Sequence, residues 1–218
     1  MVIPALDAER TIAAVVSGAR EHVEVVVVVD DGSTDRTAAV ATAAGATVVS
    51  HAQNRGKGAA LRTGLSWAAE HGYEAMITLD ADGQHPTSEI GKLLALDEID
   101  ALVLGVRDLA RANAPRANQM SNGFSNWFLS TVTWTRLRDT QCGLRRYPVR
   151  RTLSLGVKDN GFGFETEVLL RALRAKLPIV QVDITVLYPP ERTTHFDSRR
   201  DPWRIVGRVL RTLIVDRS

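Results

Sequence analysis

The stretch Met76-Ile77-Thr78-Leu79-Asp80-Ala81-Asp82-Gly83 ends an apolar run on two carboxylates spaced i and i+2. A buried strand that delivers two acids at its carboxyl end sets charge where an open α/β sheet binds its ligand. No basic residue adjoins them in sequence, so the two acids repel each other. A hard divalent cation, Mg²⁺ or Mn²⁺, bridging them to a phosphate relieves that repulsion. A lone D-x-D pair is common by accident, and its place behind a buried strand is what lends it weight. Two further turns carry compatible chemistry. Asp30-Asp31-Gly32-Ser33-Thr34-Asp35 closes a β-branched run, and Asn54-Arg55-Gly56-Lys57-Gly58 sets an ammonium among glycines that let backbone approach a phosphate. The second turn is not a Walker A loop, because glycine follows Lys57 and the upstream glycine spacing differs. Asp35 suits a helix cap or Asx turn equally well. His85 suits a helix start or a ligand's neighbour, with no second histidine close enough for zinc, and His22, His51 and His71 read as solvent or loop residues.

These turns need short, regular elements to hold them. Apolar runs predict strands over 2–4, 23–29, 47–50, 76–79 and 101–105, the second buried on both faces and hence central and parallel. Helices are predicted over 8–20, from the Asp35 turn to Ala44, over 59–70, and after Pro86, where proline is tolerated. Strand and helix alternating at this cadence predict an α/β fold, a doubly wound, mainly parallel sheet with helices on both faces. The second half is less regular. A helix over 118–135 carries Phe124, Trp127, Phe128, Val132 and Trp134, which read as core ahead of a lipid slot. A helix over 166–175, a strand over 179–187 and an amphipathic segment over 202–215 follow. In that last segment Trp203, Val206, Val209, Leu210 and Leu213 oppose Arg204, Arg208 and Arg211, an arrangement that serves core packing or membrane docking.

Composition narrows the classes. With 218 residues, 44% hydrophobic and 24% charged, the chain has the make-up of one globular domain. A net charge of +2 gives no global reason to expect nucleic acid. The single cysteine, Cys142, excludes an intramolecular disulfide framework and suits a reducing cytoplasm. No leader or membrane-length apolar stretch is evident, so any meeting with a membrane is expected at its surface. A first strand that begins at the initiator is short, which raises the expectation that residues precede it.

Six ordered blocks, VVVVVDDGSTD, NRGKGAALRTG, ITLDADGQHP, DTQCGLRRYP, FGFETEVLLRA and YPPERTTHF, cover most of the chain. In these the sequence resembles the family 2 inverting glycosyltransferases, and within them the polyprenyl-phosphate branch of dolichyl-phosphate mannose or glucose synthases. The resemblance implies a glycosyltransferase-A fold, a UDP- or GDP-sugar donor, a polyprenyl phosphate acceptor and Mg²⁺ or Mn²⁺. It implies one glycosyltransferase domain, with a nucleotide-sugar half over 1–108 and an acceptor half over 109–218. Pro4 and Asp31 would seat the base with Lys57 nearby, and Asp80, Ala81 and Asp82 would line the nucleotide. Asp80, Asp82 and Gln84 would hold the metal. Arg107, joined by Arg116, would receive the acceptor phosphate, and Asp139 would stand close to the reacting centre, making Asp139, Asp82 and Arg107 the catalytic candidates. Arg192 and His195 would belong to a loop closing over the phosphates. The family's P-x-x-N-E opening is here Pro4-Ala5-Leu6-Asp7-Ala8, with Glu9 one position late. Rival readings are a transferase with a soluble hydroxyl acceptor, a nucleotidyltransferase on a related sheet, and a non-catalytic nucleotide-sugar-binding protein.

Overall fold

The computed structural model describes residues 1–187, so the expectations for Arg192, His195 and the 202–215 segment lie outside the described residues. The chain alternates β1 (Val2–Ala5), α1 (Ile12–Arg20), β2 (Val27–Asp30), α2 (Thr37–Ala43), β3 (Thr47–Ser50), α3 (Lys57–Glu70) and β4 (Ala75–Thr78). A 3₁₀ turn (Thr87–Glu89) leads into α4 (Ile90–Leu94), then β5 (Leu102–Arg107), α5 (Arg116–Thr133), β6 (Arg145–Pro148), α6 (Val149–Ser154), α7 (Phe164–Arg174) and β7 (Ile179–Ile184). They form a seven-stranded sheet of order β3-β2-β1-β4-β6-β5-β7.

Side-chain alternation explains the layers. Val27 and Val29 join a cluster with Leu61 and Leu65 of α3 and Val168 of α7, whereas Val28 joins Ile12, Val15 and Val16 of α1 and Ile90 of α4. A strand whose successive residues enter opposite cores must be apolar throughout, which is why β2 is a continuous valine run. Burying each of these valines contributes about 1.5–3 kcal/mol.

The sheet departs from the expected plan at β6, which sequence reading misses. It pairs antiparallel with both β4 and β5 and fills the gap between them. Its residues, Arg145, Arg146 and Tyr147, are all buried, an unusual content for a central strand. Both guanidiniums survive because carbonyls surround them. Arg145 donates to the carbonyls of Thr140, Cys142 and Glu165, and Arg146 to those of Leu93, Leu96 and Glu98. Each arginine thereby laces a loop to the sheet.

The aromatic run on α5 also divides. Phe128 and Val132 pack on the core, but Phe124, Trp127 and Trp134 are 42%, 63% and 95% exposed, which corrects their reading as core.

Candidate functional site

Strands β1, β2 and β4 run parallel, and β5 shares their direction because both it and β4 oppose β6. Their carboxyl ends therefore share one edge of the sheet with the amino end of β6. Between β1 and β4 that edge opens. The two strands pair only at Val2↔Thr78, with the Leu79 amide donating to the Val2 carbonyl. The carbonyls of Met1 and Ala5 face β2, so by alternation Pro4 faces the opening, where its missing N–H leaves no ladder bond unmade. An opening where strand order reverses is the usual ligand crevice of such sheets.

Reversed entry of β6 brings the 139–144 loop to the point that Asp80 leaves. Thr78 pairs with Arg145, and the Thr78 hydroxyl donates to the Gly143 carbonyl at 2.7 Å. A Cβ on Gly143 would lie 2.1 Å from Asp80 Oδ2, so only glycine permits this approach. On the other side Gly56, at φ 97°, turns the chain into α3, and a Cβ there would meet the Asn160 carbonyl at 2.3 Å. That turn sends Lys57, the first residue of α3, across the edge. Its ammonium stands 2.7 Å from Asp80 Oδ1 and 3.3 Å from Glu165 Oε1.

Charge at this edge is unevenly balanced. Burial works against the Lys57 charge, yet Asp80 and Glu165 outweigh it and hold the ammonium protonated well above its ordinary range. Burial likewise raises Asp80, and Lys57, helped by His85 and Arg107, outweighs it and keeps that carboxyl ionised. Asp82 has no such partner. Burial first, and then the Asp80 charge, push its carboxyl up to about 6, outweighing the Gln84 amide at 3.0 Å and the more distant Lys57 and Arg107 charges. Burial pulls His85 down to about 4, leaving it neutral at pH 7. Its Nδ1 has no hydrogen-bond partner among the described residues, and its Nε2 lies 4.0 Å from Cys142 Sγ. The same burial pushes the Cys142 thiol up to about 12, so it takes no part as a thiolate.

Arg107, at the end of β5, meets Asp139 differently. Its Nε donates to Asp139 Oδ2 at 2.7 Å and its Nη2 to Oδ1 at 3.0 Å, a two-pronged pair. The Arg107 and Gln141 amides add a bond to each oxygen at 3.1 Å. Asp139 is fully buried, and four N–H groups occupy its two oxygens.

Asp31 fastens the loop that carries Lys57. It accepts the Arg55 and Gly56 amides at 3.0 and 2.7 Å and lies 2.6 Å from His51 Nδ1. His51, in the loop after β3 as expected, in turn reaches the Thr63 hydroxyl at 2.9 Å, but its side chain is buried and not open to solvent. Ala81 is buried and its carbonyl accepts the Thr11 hydroxyl at 2.6 Å. The altered opening has its own partners: Asp7 Oδ1 accepts the Thr34 amide at 2.8 Å, and Glu9 Oε2 the Arg36 amide at 3.2 Å.

Asp80 and Asp82 thus lie within electrostatic reach of each other, of Lys57 and of Arg107, and His85 within reach of Asp80, Lys57, Arg107 and Asp139. Arg116 stands exposed at the start of α5. Sequence reasoning on single residues misses Glu165 and Arg145, whose signal was membership of the FGFETE and DTQCGLRRYP blocks. A separate recess of about 400 Å³, lined by Arg62, Trp67, Thr152 and Leu153 between α3 and α6, involves none of these acids.

Solved structures share this architecture. Glucosyl-3-phosphoglycerate synthase from Mycobacterium tuberculosis, crystallised with Mn²⁺, UDP-glucose and phosphoglyceric acid, superposes with a TM-score of 0.77 at 22% identity, over 97% of this chain and 78% of that one. The fold is the glycosyltransferase-A fold, as the sequence resemblance implies. The family model described as "Glycosyl transferase family 2" matches residues 1–153, and the chain belongs to that family. It is a glycosyltransferase. Among its relatives is an undecaprenyl-phosphate mannosyltransferase of Micrococcus luteus, 29% identical over 171 residues, 73% of this chain and 70% of the relative. Another is a UDP-N-acetylglucosamine–dolichyl-phosphate N-acetylglucosaminyltransferase of Methanococcus voltae, 28% identical over 214 residues, 86% of this chain and 85% of the relative.

Proposed function

We propose that this glycosyltransferase moves a sugar from a nucleoside-diphosphate sugar to a polyprenyl phosphate, with inversion, at the inner face of the membrane. The observation that carries the reading is the saturation of Asp139. A carboxylate whose oxygens accept four N–H groups has no lone pair left to take a proton, so it is not poised as a general base. An acceptor that is already anionic needs none. Asp139 instead holds the Arg107 fork in place for a phosphate, the kind of group that guanidinium geometry fits. Relatives named for undecaprenyl and dolichyl phosphate support the same acceptor class.

In the proposed step an acceptor phosphate oxygen attacks the anomeric carbon. The bond to the departing diphosphate breaks on the opposite face, and its electron pair stays with the diphosphate. The Lys57 ammonium, at the first residue of α3, would face that developing charge. The residues present fit a divalent metal: burial and the neighbouring Asp80 charge push Asp82 up to about 6, a strain between two carboxylates that a bound cation would relieve. Held there by Asp80, Asp82 and Gln84, Mg²⁺ or Mn²⁺ would neutralise diphosphate charge. Pro4 and Asp31 flank the crevice on the side proposed for the base. UDP in the structural neighbours supports a uridine donor, without deciding the sugar.

A second reading, a small soluble acceptor, draws on the phosphoglyceric acid in those neighbours. A screen of nucleotide sugars against short prenyl phosphates and soluble phosphorylated acceptors tests both, with Arg107→Ala and Arg107→Lys alongside. For the lipid reading, Arg107→Ala cuts transfer to prenyl phosphate by about 100-fold while donor binding persists, and Arg107→Lys recovers only part of it. Transfer to a neutral hydroxyl acceptor, undiminished in Arg107→Ala, sinks the reading, as does pyrophosphate release from a nucleoside triphosphate.

A further inference from the structure

Helix α5 has eighteen residues and a single charged side chain, Arg116. Its two sides meet different surroundings. One side is polar and bound to the Asp139 loop: Ser125 Oγ lies 2.9 Å from Thr140 Oγ1, Asn126 Oδ1 accepts the Thr140 amide at 2.9 Å, and Ser121 Oγ accepts Gln141 Nε2 at 3.3 Å. On the other side Met120, Phe124 and Trp127, spaced i, i+4 and i+7, are 75%, 42% and 63% exposed. The Phe124 ring leans on Trp127 with centroids 6.0 Å apart, which joins the side chains into a continuous ridge.

We infer that this ridge docks on a bilayer surface bearing anionic headgroups. A helix with exposed Met, Phe and Trp but no acidic residue is suited to the boundary between headgroups and acyl chains, where tryptophan is favoured. Its charge is complementary to such a surface: Arg116 precedes Met120 by one turn, Arg111 is exposed in the loop before it, and α5 offers no carboxylate to be repelled. Among the described residues no helix is long and apolar enough to cross a membrane, so α5 would lie on the surface. The position is continuous with the reaction, since the opposite side of the same helix holds the loop that presents Asp139 and Arg107. A phosphate carried on a lipid would then reach Arg107 without leaving the bilayer; this purpose rests on the lipid-phosphate reading above, and the test separates the two.

The full chain is sedimented with vesicles of phosphatidylcholine and phosphatidylglycerol, and with phosphatidylcholine alone. Wild type partitions onto the mixed vesicles, and the double variant Phe124→Ser/Trp127→Ser loses at least about tenfold of that partition. As a measurement that needs no disruptive change, brominated acyl chains quench wild-type tryptophan fluorescence, and the conservative Trp127→Phe lowers the quenched fraction. Transfer to a short, water-soluble prenyl phosphate stays unchanged in Trp127→Phe and in the double variant, while transfer to vesicle-borne polyprenyl phosphate falls in the double variant. Equal partition of wild type and double variant, quenching left unchanged by Trp127→Phe, or a wild-type dimer that the double variant dissolves and that ignores vesicles would overturn the inference. Vesicle binding that depends on Trp127 in a chain that uses no prenyl phosphate would leave the docking surface standing and remove the acceptor reading.

Discussion

Two acid–base pairs share the carboxyl edge of this sheet, and they are built for opposite purposes. Asp80 meets Lys57 at 2.7 Å with 27% and 19% of their side chains open, and beside them Asp82 keeps a carboxyl with a single backbone bond. Asp139 meets Arg107 with no exposure of its own and no acceptor position unfilled. The first pair has spare capacity for positive charge, and the second has none. A site that must admit a cation and a diphosphate needs the former. One that must aim a guanidinium at an incoming anion needs the latter.

Removing Asp139 should break the closed pair most severely. Asp139→Ala removes the two-pronged partner of a largely buried guanidinium and is expected to cost about 3–5 kcal/mol in urea unfolding, with acceptor use lost. Asp139→Asn separates the two roles: a positioning role raises the acceptor KM, whereas a base would lower kcat alone. At the open pair, Asp82→Asn is expected to weaken Mn²⁺-dependent donor binding by about 100-fold, read by calorimetry. Its melting temperature should hold or rise, because an acid raised to about 6 is destabilising at neutral pH.

Smaller effects refine the contrast. Gly143→Ala forces a Cβ onto Asp80 and should cost about 1–3 kcal/mol, with weaker donor binding and the Asp139 pair kept. In acid, donor affinity should fall about tenfold from pH 7 to pH 5, as Asp82 gains a proton through about 6. Stability responds with two opposed slopes. Asp82 is raised from 3.8 to about 6, so between those values the folded state binds the extra proton and this contribution falls as pH rises. His85 is lowered from 6.5 to about 4, so its contribution is present above 6.5 and is lost as pH falls through that window. A melting profile of Asp82→Asn between pH 4 and 7 should lose the Asp82 slope and keep the histidine one, and an unchanged profile would show that Asp82 is not raised.

How much of this could be read beforehand depended on whether local sequence or distant partners decide a feature. β3 falls over 47–50 as predicted, and β2 announces itself by a valine run that both cores require. The turn after β4 was legible because an apolar strand stopping at two acids is a local pattern. β6 was not, since Arg145 and Arg146 look like surface until one sees the carbonyls of Thr140, Glu165, Leu93 and Leu96 gathered around them. His51 was hidden for the same reason, its burial set by Asp31 after β2 and Thr63 on α3. The α5 aromatics mix both cases: helical spacing places Phe124 and Phe128 on neighbouring rows, but only the packing tells which row meets the core.

The misread strand also acts as a ruler. Because β6 lies between β4 and β5, the edge positions that carry Asp80 and Arg107 stand two strand spacings apart, on the order of 10 Å. That interval is comparable to a hexose ring flanked by a phosphate on either side. A direct β4–β5 pairing would halve it and bring the two anions into collision. On the proposed mechanism, the antiparallel insertion would set the gauge between the departing and arriving phosphates.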